Sequence, residues 1–162
     1  LRAGMRLFER TRGAIGGCVA AAARCGLAAA APDRCSTIAV TRCSRAAARR
    51  DRLRAMMQAS VARACDAVGI AALVDPVDGL AFRDVAAACP YAAPGAASVE
   101  DLVDCVAGRT TCLAERAVAE TAPRAYELLS DVLDDPDTQF PCVVDPDDLG
   151  SPSAAFVDRP AR

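Results

Sequence analysis

The chain contains no lysine, no histidine, no asparagine and no tryptophan. Each absence removes a chemistry. Without His there is no Ser-His-Asp or Cys-His catalysis, no zinc–histidine site and no axial His for haem. Without Lys there is no Schiff base and no phosphate-loop lysine. Without Asn there is no N-glycosylation sequon. Aromatics are scarce: Phe8, Phe82, Tyr91, Tyr126, Phe140 and Phe156 are all there are. Arginine, carboxylates, hydroxyls, cysteines and backbone dipoles remain. With the usual general bases missing, the chain is not expected to be an enzyme or to hold a cofactor.

Long apolar runs are missing as well. The longest uncharged run, 85–99, contains Pro90 and Pro94. Spanning a bilayer takes about twenty apolar residues, so no membrane span is expected. Ala-rich 18–31 is interrupted by Arg24 and lacks the leucine-rich core of a secretory leader. A chain that starts at Leu1 is therefore read as a mature secreted protein.

What is present is alanine, arginine and cysteine. Ala supplies 38 of the 162 residues, and all 19 basic residues are Arg. The length suits one domain. Nine cysteines are a high count, and none forms a CxxC pair. Metal clusters want close pairs, whereas long spacings favour disulfides and an oxidising compartment, extracellular or periplasmic. An odd number leaves at least one thiol unpaired or bonded to another chain.

The net charge of −2 hides a split. Residues 1–63 carry 13 Arg and three acids, a net +10; residues 64–162 carry 6 Arg and 18 acids, a net −12. Halves of opposite sign can attract within one fold or between copies. The plainer reading is that each face is solvated.

Helical signals dominate, and the expected fold class is all-α. Residues 2–31 are rich in helix formers, with Gly13, Gly16 and Gly17 as a potential kink, up to the break at Pro32-Asp33. Residues 36–68 carry an apolar face of Ala39, Cys43, Ala46, Leu53, Met57, Val61, Ala64 and Val68 at helical spacing. Asp33 or Ser36 is the expected cap and Gly69 the stop. Arg42, Arg45, Arg49 and Arg52 stack on another face of the same helix. Turn signals at Asp75-Pro76 and Asp78-Gly79, a short helix over 80–88 and a loop over 90–97 follow. Ser98 with Asp101 resembles a capping box opening a helix with an interruption expected near Gly108 and Thr110-Thr111. A further helix starts near Thr121 and Pro123 and carries the stripe Ala125, Leu128, Leu129, Val132, Leu133. Residues 1–142 are thus expected to form a single stapled domain, an antiparallel hairpin packed with three or four shorter helices. Residues 143–162 form an irregular Pro/Asp-rich tail, which would need a partner, such as a neighbouring subunit, to be ordered.

The first cysteines pair by symmetry. Facing residues of an antiparallel hairpin have position numbers with a constant sum. Cys25 with Cys35 gives 60, and Cys18 with Cys43 gives 61. Spacings of seven and eight residues within each helix are about two turns, so both cysteines face one way. Two rungs follow, Cys25–Cys35 and Cys18–Cys43. The last five cysteines are underdetermined; the pairs expected are Cys89–Cys105 and Cys65–Cys112, with Cys142 as the odd thiol. Such staples would offset a core of small alanines, each contributing about 2–4 kcal/mol.

The segments LVDPVDGLAFRDVAAACP (73–90) and ASVEDLVDCVAGRTTCLAERAVAETAPRAYELL (97–129) carry a resemblance. With the upstream Cys-bearing helices they resemble a family of Cys-rich, Ala-rich helical secreted proteins of GC-rich, delta-proteobacterial-type bacteria. The likeness covers roughly 15–142, and its most specific pieces are DLVDC, PRAYELL and FPC. Members commonly carry Lys in the early helices, where this chain has only Arg. The resemblance implies export and a helical fold and assigns no catalytic residue.

Two charged clusters are candidate sites. Asp131, Asp134, Asp135, Asp137, Asp145, Asp147 and Asp148 offer oxygen ligands to calcium, yet lack EF-hand spacing and are read as a solvated or Arg-paired face. Arg42, Arg45, Arg49 and Arg52 suit phosphates or the acidic half of another copy. Nucleic acid is not expected, because the chain has no net basic footprint and the stripe no stacking aromatic. The function expected is an exported structural protein that assembles with itself, as a homo-oligomer or filament, through Arg42, Arg45, Arg49 and Arg52 against Asp131, Asp134, Asp135 and Asp137. The alternative is a monomeric secreted module binding a small apolar ligand or a cell-surface partner.

Overall fold

The computed structural model describes residues 2–27, 32–65, 69, 72 and 98–144. The expected helix over 80–88, the loop 90–97, Cys89 and the tail from 145 onward lie outside the described residues. So does much of the resemblance, including all of 73–90.

Five helices make up the described fold: α1 (Arg2–Leu27), α2 (Pro32–Cys65), α3 (Val99–Thr121), α4 (Ala125–Ser130) and α5 (Pro136–Gln139). The class is all-α, with no strand among the described residues. Glycines do not interrupt α1, which is one helix through Gly13, Gly16 and Gly17. Pro32 opens α2 rather than ending α1. Proline suits a first helical position, where its missing N–H would be unsatisfied anyway. Ser36 is consequently inside α2, not its cap.

α3 starts at the expected capping box. Ser98 Oγ accepts from the Asp101 N–H at 3.1 Å, and the Asp101 carboxylate accepts from the Ser98 N–H at 2.9 Å. These bonds hold the Asp101 carboxyl below its ordinary value. The expected interruption near Gly108 is absent. Thr110 and Thr111 lie inside the helix, and their hydroxyls are satisfied by donating back to the Val106 and Ala107 carbonyls, at 2.7 and 2.9 Å.

α1 and α2 run antiparallel, and both expected rungs are present. Cys18 bonds Cys43 and Cys25 bonds Cys35, with Cα separations of 4.7 and 5.3 Å. α3 packs across both helices, running antiparallel to α2. Ile15, Cys18 and Val19 of α1 meet Cys43 and Ala46 of α2 and Val118 of α3. Leu129, Leu133, Phe140 and Val143 close this core from the C-terminal side. The core therefore extends one residue past the expected domain boundary at 142. A smaller cluster of Leu7, Met57 and Ala107, backed by Leu53 and Val61, holds the other end.

The later cysteines correct the sequence reading. Cys112 bonds Cys142, with Cα atoms 5.2 Å apart, and Cys65 is a free thiol. Phe140 and Val143 are both buried, and between them they carry Cys142 to the side of α3. Cys65 cannot reach Cys112. Arg50 meets α3 at Glu115, one turn from Cys112, and Cys65 lies about 22 Å farther along α2 at 1.5 Å per residue. Cys105 is disulfide-bonded, while Cys89, its expected partner, is outside the described residues. No described helix is long and apolar enough to cross a membrane. The three disulfides between described residues fit an oxidising compartment.

Candidate functional site

Two features stand out: a buried ion pair that joins the basic and acidic halves, and two unlike charged surfaces on either side of α2.

The ion pair is Arg50–Glu115. Arg50 Nη1 donates to Glu115 Oε1 at 3.2 Å and also to the Gln139 carbonyl. The other carboxylate oxygen, Oε2, accepts from the Cys142 N–H at 2.8 Å. The guanidinium lies 5.9 Å from the Phe140 ring centroid. The Glu115 side chain is fully buried and that of Arg50 is 14% exposed. Burial pushes the Glu115 carboxyl above its ordinary value, against the Cys142 N–H and Arg50, which pull it down. Both carboxylate oxygens are occupied, so the pair works as a clamp for the chain around Cys142. Neither residue stood out in the sequence. Arg50 sits in an arginine-rich run, and only its helical angle, on the Cys43 and Ala46 side, distinguishes it.

A second inter-half contact joins Arg54 and Asp104 at 2.5 Å, with Gln58 donating to the same Asp104 oxygen. The charge split is therefore partly neutralised inside the fold.

Arg42, Arg45, Arg49 and Arg52 are all exposed on one face of α2. Among the described residues none of them forms an ion pair. Asp131, Asp134, Asp135 and Asp137 are likewise exposed. Asp135 caps α5 by accepting from the Thr138 N–H and hydroxyl, which holds its carboxyl below its ordinary value. Asp131, Asp134 and Asp135 rim an open groove of about 440 Å³ whose wall includes Ser36 and Val40 of α2. Asp137 is not part of that rim.

The two faces lie opposite one another. Ser36 and Arg45 are nine residues apart, as are Val40 and Arg49. Nine residues make about two and a half turns, or half a circle around the helix. The arginines accordingly cannot reach the acids of their own chain across α2.

No group of three or more Cys, Asp or Glu side chains among the described residues could hold a metal ion. No family model matches the chain, and no curated protein or solved structure matches it significantly.

Proposed function

We propose that the protein is an exported, disulfide-stapled structural subunit that assembles with copies of itself. One observation carries this reading. An exposed arginine face and an acid-rimmed groove sit on opposite sides of α2, each without an opposite charge from the other. Unlike surfaces on opposite sides of a molecule meet head to tail, and such contacts close only if the rotation permits. Otherwise they build filaments. The disulfides support an extracellular or periplasmic setting.

A small apolar ligand finds less support, because the groove beside Val40 is open and rimmed by carboxylates. The test is negative-stain electron microscopy of the non-reduced protein near 0.15 M salt and again near 1 M. Screening shortens from about 8 Å to about 3 Å between them. Filaments or rings that thin out at high salt are the expected result. Uniform monomers at both salts refute the proposal.

A further inference from the structure

The exposed basic face is longer than the four arginines. At helical spacing it runs from Arg34 through Ile38, Arg45, Arg49 and Met56 to Arg63, all exposed. That is about 43 Å of helix at 1.5 Å per residue. No acid occurs at any position of this band. Ile38 is 51% exposed and lies between Arg34 and Arg42. Met56, farther along the same band, is 65% exposed.

The groove is its complement. Val40, Val132 and Leu133 contribute apolar wall, and Asp131, Asp134 and Asp135 the rim. Among the described residues Asp131 and Asp134 form no ion pair. The match is chiefly one of charge: a band of guanidinium groups around one apolar knob, Ile38, faces a mainly polar groove whose acids are Asp131, Asp134 and Asp135. Desolvated Arg–carboxylate pairs at the edge add geometric specificity.

We infer that Ile38 of one copy seats in the groove of a second copy, with Arg34 and Arg42 paired to Asp131 and Asp134. This rests on the self-assembly reading and names its contact. It also sets the contact type. Ile38 and Val40 differ in height by about 3 Å along α2 but by about 160° around it. Knob and groove are therefore level on opposite sides of one helix. The contact is heterologous, so it builds a filament unless the rotation between copies closes it into a ring.

The experiment uses two complementary variants and sedimentation velocity at physiological salt, with electron microscopy alongside. One variant loses the knob: Arg34→Asp, Ile38→Asp and Arg42→Asp. The other loses the rim: Asp131→Arg and Asp134→Arg, which leaves the Asp135 cap intact. Each alone is expected to be monomeric, with wild-type circular dichroism and disulfide pattern. Mixed one to one, they pair the intact knob of one with the intact groove of the other and stop at a heterodimer. Arg2→Asp with Arg6→Asp, which makes the same two-arginine charge reversal on the exposed side of α1, still forms filaments. Should a multiple variant misfold, the single surface change Ile38→Ser is read instead; it raises the critical concentration about tenfold or more, a loss of at least about 1.4 kcal/mol.

Variants that polymerise like wild type overturn the contact while leaving self-assembly standing. Two monomeric variants that ignore each other when mixed also overturn it. A wild-type chain that stays monomeric sinks the self-assembly reading itself. Its co-sedimentation with phosphatidylglycerol vesicles would then assign the basic face to an anionic membrane.

Discussion

The Cys142 backbone N–H donates to Glu115 at 2.8 Å, one helical turn along α3 from Cys112, to which Cys142 is bonded. Disulfide and carboxylate thus hold one short segment at two neighbouring points of one helix. Arg50 completes the clamp from α2. Removing Arg50 leaves the fully buried Glu115 without its cation, whereas Arg50 itself also pairs with the exposed Asp51 at 2.9 Å. Glu115→Ala strips the Cys142 N–H of its acceptor and leaves Arg50 with the exposed Asp51 carboxylate alone, and the expected loss is about 3 kcal/mol of unfolding free energy. Arg50→Ala should cost a comparable amount. The double variant should lose less than the sum, because both singles break one network. Guanidinium chloride unfolding under non-reducing conditions measures all three. Additive losses would show that the two side chains act independently.

Cys142 is a structural cysteine, and Cys65 is the available thiol. Alkylation of the native protein with iodoacetamide should mark Cys65 and spare Cys142. Peptide mapping without reduction should recover Cys112 joined to Cys142. The Cys112–Cys142 bond closes a loop of 30 residues, so Cys142→Ser should cost about 3.6 kcal/mol in the chain-entropy account. Native labelling of Cys142 would contradict the pairing.

The hairpin was legible because its cysteines bracket a turn symmetrically, and symmetry around a turn is a local fact. Cys142 was not legible for the opposite reason. Its pairing depends on Phe140 and Val143 entering a core built by α1, α2 and α3. Nothing in a Pro/Asp-rich stretch announces that. Arg50 was hidden in a different way. Arg49, Arg50 and Arg52 look alike in a row. Only the placement of α3 decides that Arg50 turns inward while its neighbours face water. The exposed stripe could be read from spacing, as could the box at Ser98. The groove could not, because Val40 and Asp134 meet only once α4 and α5 fold back beside α2.

The capping box offers a smaller, local test. Ser98→Ala removes the acceptor of the Asp101 N–H and the hydroxyl that donates to the Asp101 carboxylate at 2.8 Å. A lost N-cap of this kind costs about 1 kcal/mol. Ser98→Asp keeps an acceptor at the cap and should recover most of that loss. Thermal unfolding of the three proteins distinguishes them. An Ala variant as stable as wild type would mean that α3 does not depend on its cap.

Glu115 also gives the protein an unusual pH response. Burial raises its carboxyl in the folded chain above the ordinary value of 4.5 that it regains on unfolding. Between pH 4.5 and the folded value, the folded state therefore binds more of this proton than the unfolded state does. Stability from this group is full below pH 4.5 and declines as pH rises through the folded value. Asp101 and Asp135 act in the opposite sense. Their folded carboxyls lie below the ordinary 3.8, so their contribution is present above that value and fades as pH falls through the folded values. Comparing wild type with Glu115→Gln at each pH cancels the aspartates and isolates the buried carboxyl. At neutral pH the Gln variant should be the less stable one, because its single oxygen cannot accept from both Arg50 and Cys142. The stability advantage of wild type should nonetheless be larger at pH 4 than at pH 7, and denaturant midpoints across that range measure it. An advantage that grows as pH rises would mean that Arg50 and the Cys142 N–H outweigh burial, and that Glu115 is held ionised as an ordinary ion-paired carboxylate.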